Sequence, residues 1–403
     1  MDLSPKELAD VERVGNLKGR LVDYATSPEL ERHLRSFARE TSAREAGEEP
    51  SMIDIVDSFI HDYEFDDGTG LIDRFIARRR LTDDDAAVIR ELLNGVNAIF
   101  EVIEGPVVNE VSGVEVLMVR CCYSDLVHCV VPTQPGGLAD ISAGSFLFGR
   151  LDPVHGSEVW TPSGGLRSYP ADARPEMARA VREAVTRFPE LSLRNPDYRA
   201  RAAEIVEAKH WAFVDEFGSD ILLGTARELV EPYVWVNTAQ IQDTAPNPGN
   251  GFAQRYGTAQ QDPDDPDILS LVDESRRMLR QSLLESDMID DTDVALVSHP
   301  VAGFSFYSEF GRFTEALEAG DRATEDELEL VTHFLHDPST PIWLLRRLIE
   351  ERTATAEKTL ARVLELRDFS WADDGESFLE TLDGDVKPKP TLSIMPQIVE
   401  EYR

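Results

Sequence analysis

The sequence predicts a mainly helical α+β fold with an N-terminal helical domain, a small antiparallel β-barrel-like module and a C-terminal helical region. Three observations predict it. Apolar residues recur at helical spacing over residues 1–97, the period becomes extended over residues 98–170, and helical spacing returns over residues 171–236 and 268–383. A chain of 403 residues has room for two or three domains of roughly 100–200 residues.

Residues 1–97 are predicted to form a helical domain because apolar side chains share faces at helical spacing. Two such faces are Leu30, His33, Leu34 and Phe37, and Ile53, Val56, Phe59 and Ile60. Thr82 is a good N-cap, and the aspartates that follow it favour the first turn of a helix. The segment therefore looks like a domain and not like a tail.

Residues 98–170 carry short extended runs separated by turn residues, which predicts a small antiparallel β-module. Turn chemistry occurs at residues 104–106, 111–113 and 124–125. The runs between the turns predict five or six short strands in a compact barrel or curled sheet.

The rest of the chain is predicted to be helical around one long connection. Residues 171–236 form a helical segment, and residues 237–267 have few large apolar side chains, which indicates a mobile loop or linker. In the helical region 268–383, Thr324 and Glu327 form a capping box. Residues 384–403 contain three prolines and no periodicity, which predicts an extended tail on the surface or on a partner.

The composition is strongly acidic, with 76 Asp and Glu against 40 Lys and Arg and a formal net charge of −36. Only six of the basic residues are lysines. Such a charge is tolerable in a salt-rich cytosol, where the Debye length falls to about 3 Å at 1 M salt. A GC-rich genome or one basic partner are the alternatives, but the acidic residues are spread along the whole chain, which favours salt adaptation.

The charge distribution also indicates which partners to expect. The densest basic run, residues 78–80, is followed by three aspartates at 83–85, so no continuous basic face is predicted and nucleic acid is an unlikely ligand. The start lacks a basic and apolar leader, and no run is apolar enough to cross a membrane. We expect a cytoplasmic protein with a protein partner.

The chain has three cysteines, Cys121, Cys122 and Cys129, within an apolar and extended stretch. With His128 they could form a zinc site, but adjacent residues of a strand point to opposite faces. Buried thiols that behave as small apolar side chains are the favoured interpretation.

One helix carries a candidate metal site. Glu329, His333 and His336 lie at positions i, i+4 and i+7 of the capped helix, so all three project from one face. Two imidazoles and a carboxylate suit zinc or ferrous iron. The His-Glu-x-x-His pattern is absent, however, and a Glu–His pair on a wet helix face also occurs as plain stabilisation.

A second acidic stretch resembles a calcium loop only in part. Asp57 and His61 form an i, i+4 pair, and acidic residues alternate from Asp62 to Asp73. The sixth loop position is Asp67, where a calcium loop requires glycine, so an acidic turn between helices is favoured. Phosphate-binding glycine loops and a nucleophile elbow are also absent from the sequence.

Four short motifs resemble an uncharacterised family of prokaryotic proteins with helical regions around a small β-module. The motifs are residues 100–102, 217–220, 337–338 with 345–348, and 368–371 before 374–375. The resemblance covers most of the chain and implies this fold, but it implies no activity and no functional residues.

The sequence therefore favours a non-catalytic interaction or scaffold protein adapted to high salt, because no candidate site stands above its structural alternative. The β-module and the helical face around Trp343 are the surfaces expected to bind. The alternative is a metal-dependent enzyme that uses Glu329, His333 and His336, with His210 or His299 as possible further ligands.

Overall fold

The structure, a computed structural model, describes residues 3–44, 51–108, 113–133, 136–138, 141–243, 266–367, 369–382, 387–388, 392 and 394–401. The chain divides into two compact units. Residues 1–198 and 393–403 form the barrel unit, and residues 199–392 form the sheet unit. The predicted α+β class, mainly helical, is confirmed.

The α-helices of the described residues are α1 (Pro5–Ala25), α2 (Glu31–Arg44), α3 (Met52–Asp62), α4 (Leu71–Arg79), α5 (Asp83–Glu91), α6 (Arg174–Arg187), α7 (Pro196–Phe217), α8 (Ala226–Asp243), α9 (Pro266–Leu284), α10 (Phe310–Ala319), α11 (Glu325–His336), α12 (Ile342–Glu350), α13 (Thr353–Val363), α14 (Trp371–Leu379) and α15 (Gln397–Glu400). The strands are β1 (Val96–Val108), β2 (Glu115–Cys121), β3 (Val127–Val130), β4 (Phe146–Pro153), β5 (Val159–Pro162), β6 (Arg167–Tyr169), β7 (Ile221–Gly224), β8 (Val294–His299) and β9 (Gly303–Ser308).

Strands β1 to β5 close into a barrel. Their order is β1-β2-β3-β5-β4, and β4 pairs back onto β1, while β6 pairs with β4 outside the ring. The β3–β5 pair is parallel and the others are antiparallel. Register shifts between Val102 and Val107 bend the long strand β1, and such irregularities let a small sheet curl until it closes.

Every second side chain along the barrel strands points into the barrel interior. Ala98, Phe100 and Val102 of β1 alternate inward, as do Leu117 and Val119 of β2, and all are fully or almost fully buried. The predicted small barrel is thus confirmed.

The structure differs from the predicted boundary between residues 97 and 98. Helices α1 and α3 to α5 share one hydrophobic core with outward-facing barrel residues such as Val116, Val131 and Val159. The barrel is apolar on its outer wall as well as inside, so the helices and the barrel belong to one unit.

The sheet unit is built on the antiparallel sheet β7-β8-β9. The central strand β8 has its first five residues buried, because helices cover both faces of the sheet. Residues of α7 and α8 pack on Val294 and Leu296, and residues of α10 to α14 pack on Ala295 and Val297. The predicted capping box of Thr324 and Glu327 is present at the start of α11.

Two predicted segments differ from the structure. Helix α8 continues to Asp243, so residues 237–243 are helical and not part of a loop, whereas residues 244–265 lie outside the described residues. Good helix formers such as Ala239 and Gln240 explain the longer helix. In the predicted extended tail, residues 394–401 pack against the barrel unit, and α15 is part of them.

Two smaller predictions have clear outcomes. Cys121, Cys122 and Cys129 are buried free thiols, as the sequence indicated. Among the helices that the structure describes, none is both long enough and apolar enough to span a bilayer.

Candidate functional site

A set of charged side chains lies buried where α1 and α3 meet the barrel. It comprises Lys18 of α1, Asp57 and His61 of α3, Arg150 and Asp152 of β4, and Ser163 after β5, and we call it the ion cluster. The loop after β5 lies against α3, where a Cβ at Gly164 would be in ordinary contact with Asp57 and Ile53.

Lys18 is the centre of the ion cluster. Its Nζ atom donates hydrogen bonds to Asp152 at 2.5 Å, to Asp57 at 3.3 Å and to the Ser163 hydroxyl. All three ammonium protons therefore have acceptors. Arg150 donates to Asp57 at 3.0 Å and continues to Asp62 at the rim at 3.0 Å. The two cations thus bridge two buried carboxylates and one that is more exposed.

The cluster is almost closed to solvent. The exposed fraction is 9% for the side chain of Lys18, 2% for His61 and 0% for Asp152. Within the described residues, His61 Nδ1 and Asp152 Oδ1 have no hydrogen-bond partner. A buried ion pair with incomplete hydrogen bonding stabilises little on balance, yet it is costly to break, because one charge is then left alone.

Burial and the neighbouring charges shift the pKa values of the cluster. Burial raises the pKa of Asp57, but Lys18, His61, Ser163 and Arg150 outweigh burial, and the net pKa is lowered. For Asp152 burial dominates and the pKa is raised. Burial lowers the pKa of His61 to about 3, and the positive charges of Arg150 and Lys18 act in the same direction.

Ser163 resembles a nucleophile, since its Oγ atom donates to Asp57 and lies 3.4 Å from His61 Nε2. The arrangement does not favour catalysis, however. The Lys18 ammonium donates to acceptors and has no lone pair for a proton. The adjoining cavity, lined by Asp57, Gly164 and Arg167 among others, measures only about 60 Å³, which is room for a few waters and not for a substrate.

The predicted acidic turn is present after the ion cluster. Asp57 and His61 meet as predicted, with 3.8 Å between Asp57 Oδ1 and His61 Nε2. Asp67 accepts hydrogen bonds from Thr69 and Arg74. Asp67 and Asp62 already accept hydrogen bonds from Arg74 and Arg150, so these two carboxylates are not free to bind calcium.

Glu329, His333 and His336 lie along one open groove on α11, together with Asp337 and Pro338. In the part of the chain that the structure describes, no group of three or more His, Cys, Asp or Glu side chains is placed to hold a metal ion. The lining of the groove does not include His210 or His299. The metal site and the enzyme built on it gain no geometric support and stay a prediction.

Metal analysis tests that prediction directly. If the site binds zinc or ferrous iron, protein purified in molar KCl contains stoichiometric metal, and a His333→Ala variant loses it because a ligand is removed. A His155→Ala variant, in the barrel unit, keeps the parent's metal content and serves as the control. Equal metal content in parent and His333→Ala contradicts the site.

His210 and His299 lie near each other in the sheet unit, and His210 is buried. The His299 ring contacts Trp343 of α12 in a tilted arrangement with 4.3 Å between ring centroids, and His210 contacts Trp211 at 4.9 Å. Trp211 is 55% exposed and Val301 is 41% exposed. We call Trp211, His299, Val301 and Trp343 the aromatic patch. They are grouped through His210, whose ring contacts Trp211 and whose Nδ1 atom lies near Ser298, the residue before His299.

Polar contacts position the histidines of this region and the side chains next to them. His210 Nδ1 lies 2.9 Å from Ser298 Oγ, and His299 Nδ1 accepts a hydrogen bond from the Val301 backbone at 3.0 Å. That acceptor role leaves the proton of the neutral His299 ring on Nε2. Arg347 donates to both carboxylate oxygens of Asp220, at 2.6 and 3.1 Å.

The aromatic patch is neutral. Burial lowers the pKa of both His210 and His299, so both rings are uncharged at pH 7. Nearby, Arg347 pairs with both Asp220 and Glu351, and the charge of Glu207 acts on His210. In a chain with a net charge of −36, an exposed tryptophan beside an uncharged histidine ring is the feature that stands out.

Sequence reasoning missed most of both sites. Lys18 lies on the buried side of α1 with Val14, Leu17 and Leu21, and a lone lysine in that stripe was the available signal. Trp211 follows His210 on α7 and carried no local signal of exposure.

No protein-family model, no curated protein and no solved structure matches the chain. The resemblance to an uncharacterised prokaryotic family therefore stays a prediction.

Proposed function

We propose that the protein is a non-catalytic interaction protein whose aromatic patch binds a partner protein. The observation that carries the proposal is the exposure of Trp211, at 55%, with its ring against that of the buried His210. Tryptophan is strongly enriched among the residues that dominate binding energy at interfaces. A single exposed apolar residue needs no explanation, but here Trp211 contacts His210 and a second exposed residue, Val301, is bonded through its backbone to His299.

The ion cluster supports the same proposal, because its arrangement does not suit the binding of a substrate. Lys18, Asp57 and Asp152 bind one another, and the cavity beside them is too small for a substrate. The ion cluster joins α1 and α3 to the barrel, which is a structural role. The function is therefore better assigned to a surface than to a cleft.

The acidic composition fits a protein that works in a salt-rich cytoplasm, and this bears on how it binds. At about 1 M salt, charges separated by more than about 3 Å are largely screened, so acidic side chains contribute little to recognition. Burial of apolar and aromatic area does not depend on unscreened charge. In such a solvent the neutral aromatic patch is the surface best able to supply affinity.

The proposal predicts that Trp211→Ala weakens partner binding by about 30-fold or more, since loss of such a residue costs about 2 kcal/mol. The immobilised protein is used to capture partners from native lysate in molar KCl, and retained proteins are quantified by mass spectrometry. The matched control is Leu366→Ala, because Leu366 is similarly exposed, at 51%, outside the patch.

The expected result is a protein that the parent and Leu366→Ala retain and that Trp211→Ala releases. Titration of that purified protein against the three chains then measures the change in Kd. If all three chains retain it equally, the aromatic patch is not the binding surface.

A further inference from the structure

The C-terminal segment, residues 394–401, occupies a groove on the barrel unit. Ile398 is 3% exposed and Val399 is 0% exposed, although the helix that carries them, α15, has only four residues. Their contacts include residues from the barrel and from α6, namely Ile99, Cys122, Phe146, Ala178, Val181 and Val185. The segment is thus seated in the way that a bound peptide is seated in an apolar groove.

Polar contacts fix the register of the segment at both ends. Arg120 of β2 donates to the Gln397 side chain at 2.8 Å, and Arg174 of α6 donates to Glu401 at 2.8 Å. The Gln397 backbone donates to Asp125 Oδ2 at 2.8 Å. Two arginines at the rim of a groove in a chain of net charge −36 provide charge complementarity for an acidic segment.

The groove does not depend on the segment for its own shape. Asp125 sits in the turn between β2 and β3 with a φ of 55°, and its Oδ2 atom also accepts a hydrogen bond from Tyr198. Arg174 also binds Glu101 of β1, which joins α6 to the barrel. These contacts involve only the barrel, α6 and α7, so none of them is made by residues 394–401.

The Asp125 carboxylate accepts a hydrogen bond from the last residue before the chain leaves the barrel unit and another from the segment that returns to it. Tyr198 is the last residue before the sheet unit, and Gln397 lies in the returning segment. The segment is therefore attached through the rest of the chain and through a small set of contacts. Short segments held by few contacts can be exchanged between copies at low cost, because the bonds broken in one copy re-form identically in the other.

We propose that this groove is a docking site for the C-terminal segment of a second copy of the chain, and that the chain's own segment 394–401 occupies it in the monomer. The second copy presents the same determinants: Gln397 for Arg120 and Asp125, Ile398 and Val399 for the apolar floor, and Glu401 for Arg174. The exchange links two barrel units. It does not depend on the aromatic patch or on any partner protein.

A peptide of residues 394–401 tests the proposal on full-length protein. A variant with Ile398→Asp and Val399→Asp cannot bury its own segment, so its groove is free. We expect the labelled peptide to bind this variant at micromolar concentration, and to bind the parent at least tenfold more weakly, by fluorescence anisotropy. The control is the same peptide with Ile398→Asp and Val399→Asp, which is expected to bind neither chain.

The folded state of the variant is checked by circular dichroism, and absence of binding to a folded variant overturns the proposal. If the variant does not fold, a milder one with Gln397→Ala and Glu401→Ala replaces it, since both side chains lie at the exposed rim. This variant is expected to bind the intact peptide several-fold better than the parent. Peptide binding equal to that of the parent overturns the proposal.

Discussion

Replacing Lys18 by methionine is expected to destabilise the barrel unit by about 3–5 kcal/mol, because it leaves Asp57 and Asp152 buried without their shared cation. Methionine has a volume similar to that of lysine, so the expected loss of stability comes from the missing charge and not from a cavity. Hydrogen exchange measured by mass spectrometry separates the two units. We expect faster exchange in peptides of α1, α3 and β4, and unchanged exchange in the sheet unit.

Two further variants make the Lys18 prediction specific. Lys358→Met removes a lysine that is 57% exposed and paired with Asp321 at 2.9 Å, and such surface pairs contribute at most about 1 kcal/mol. Asp152→Asn added to Lys18→Met removes one uncompensated carboxylate and is expected to restore part of the protection. Equal effects of Lys18→Met and Lys358→Met would show that the ion cluster has no special role.

The barrel unit is also expected to lose stability on mild acidification, in a window set by His61. Burial holds the pKa of His61 at about 3, against about 6.5 in an unfolded chain. Below pH 6.5 His61 is therefore protonated in the unfolded state but not in the folded state, and the free energy of unfolding falls by about 1.4 kcal/mol per pH unit. Between pH 6.5 and pH 4 the loss from His61 alone is about 3 kcal/mol.

The groups around His61 modify this loss. The positive charges of Lys18 and Arg150 increase this loss of stability, because they repel a protonated imidazole. The negative charge of Asp57 decreases it, because it attracts one. The raised pKa of Asp152 works the other way, because its protonation in the folded state adds stability as the pH falls. The lowered pKa of Asp57 adds a loss only at more acidic pH.

The measurement for His61 is the free energy of unfolding of the barrel unit at several pH values in constant KCl. His61→Gln is expected to flatten the slope between pH 6.5 and pH 4 by roughly one half. The remainder comes from His128, whose pKa burial lowers to about 4 in the same unit. His155→Gln, at a histidine whose side chain is 47% exposed, serves as the control variant. An unchanged slope in His61→Gln would refute the assignment.

Local chemistry was sufficient to predict much of the architecture. The capping boxes, the switch from helical to extended period near residue 98 and the thiols in an apolar strand all depend on neighbours a few positions away. The Asp57–His61 pair was predicted for the same reason, since i and i+4 are adjacent on any helix. The continuation of α8 to Asp243 was missed because polar residues that favour helices look like a linker.

The sequence by itself determined the mainly helical α+β class, the small barrel, the buried thiols and the acidic composition. Only the tertiary structure decided that the first helices share a core with the barrel, that residues 394–401 return to it, and that Lys18 meets partners 39 to 145 positions away. The exposure of Trp211 and the contact between His299 and Trp343 were decided there as well. The physical reason is the range of the interactions: caps and periodicity act within a turn or a strand, whereas closing a barrel and pairing buried charges depend on which distant faces the whole chain brings together.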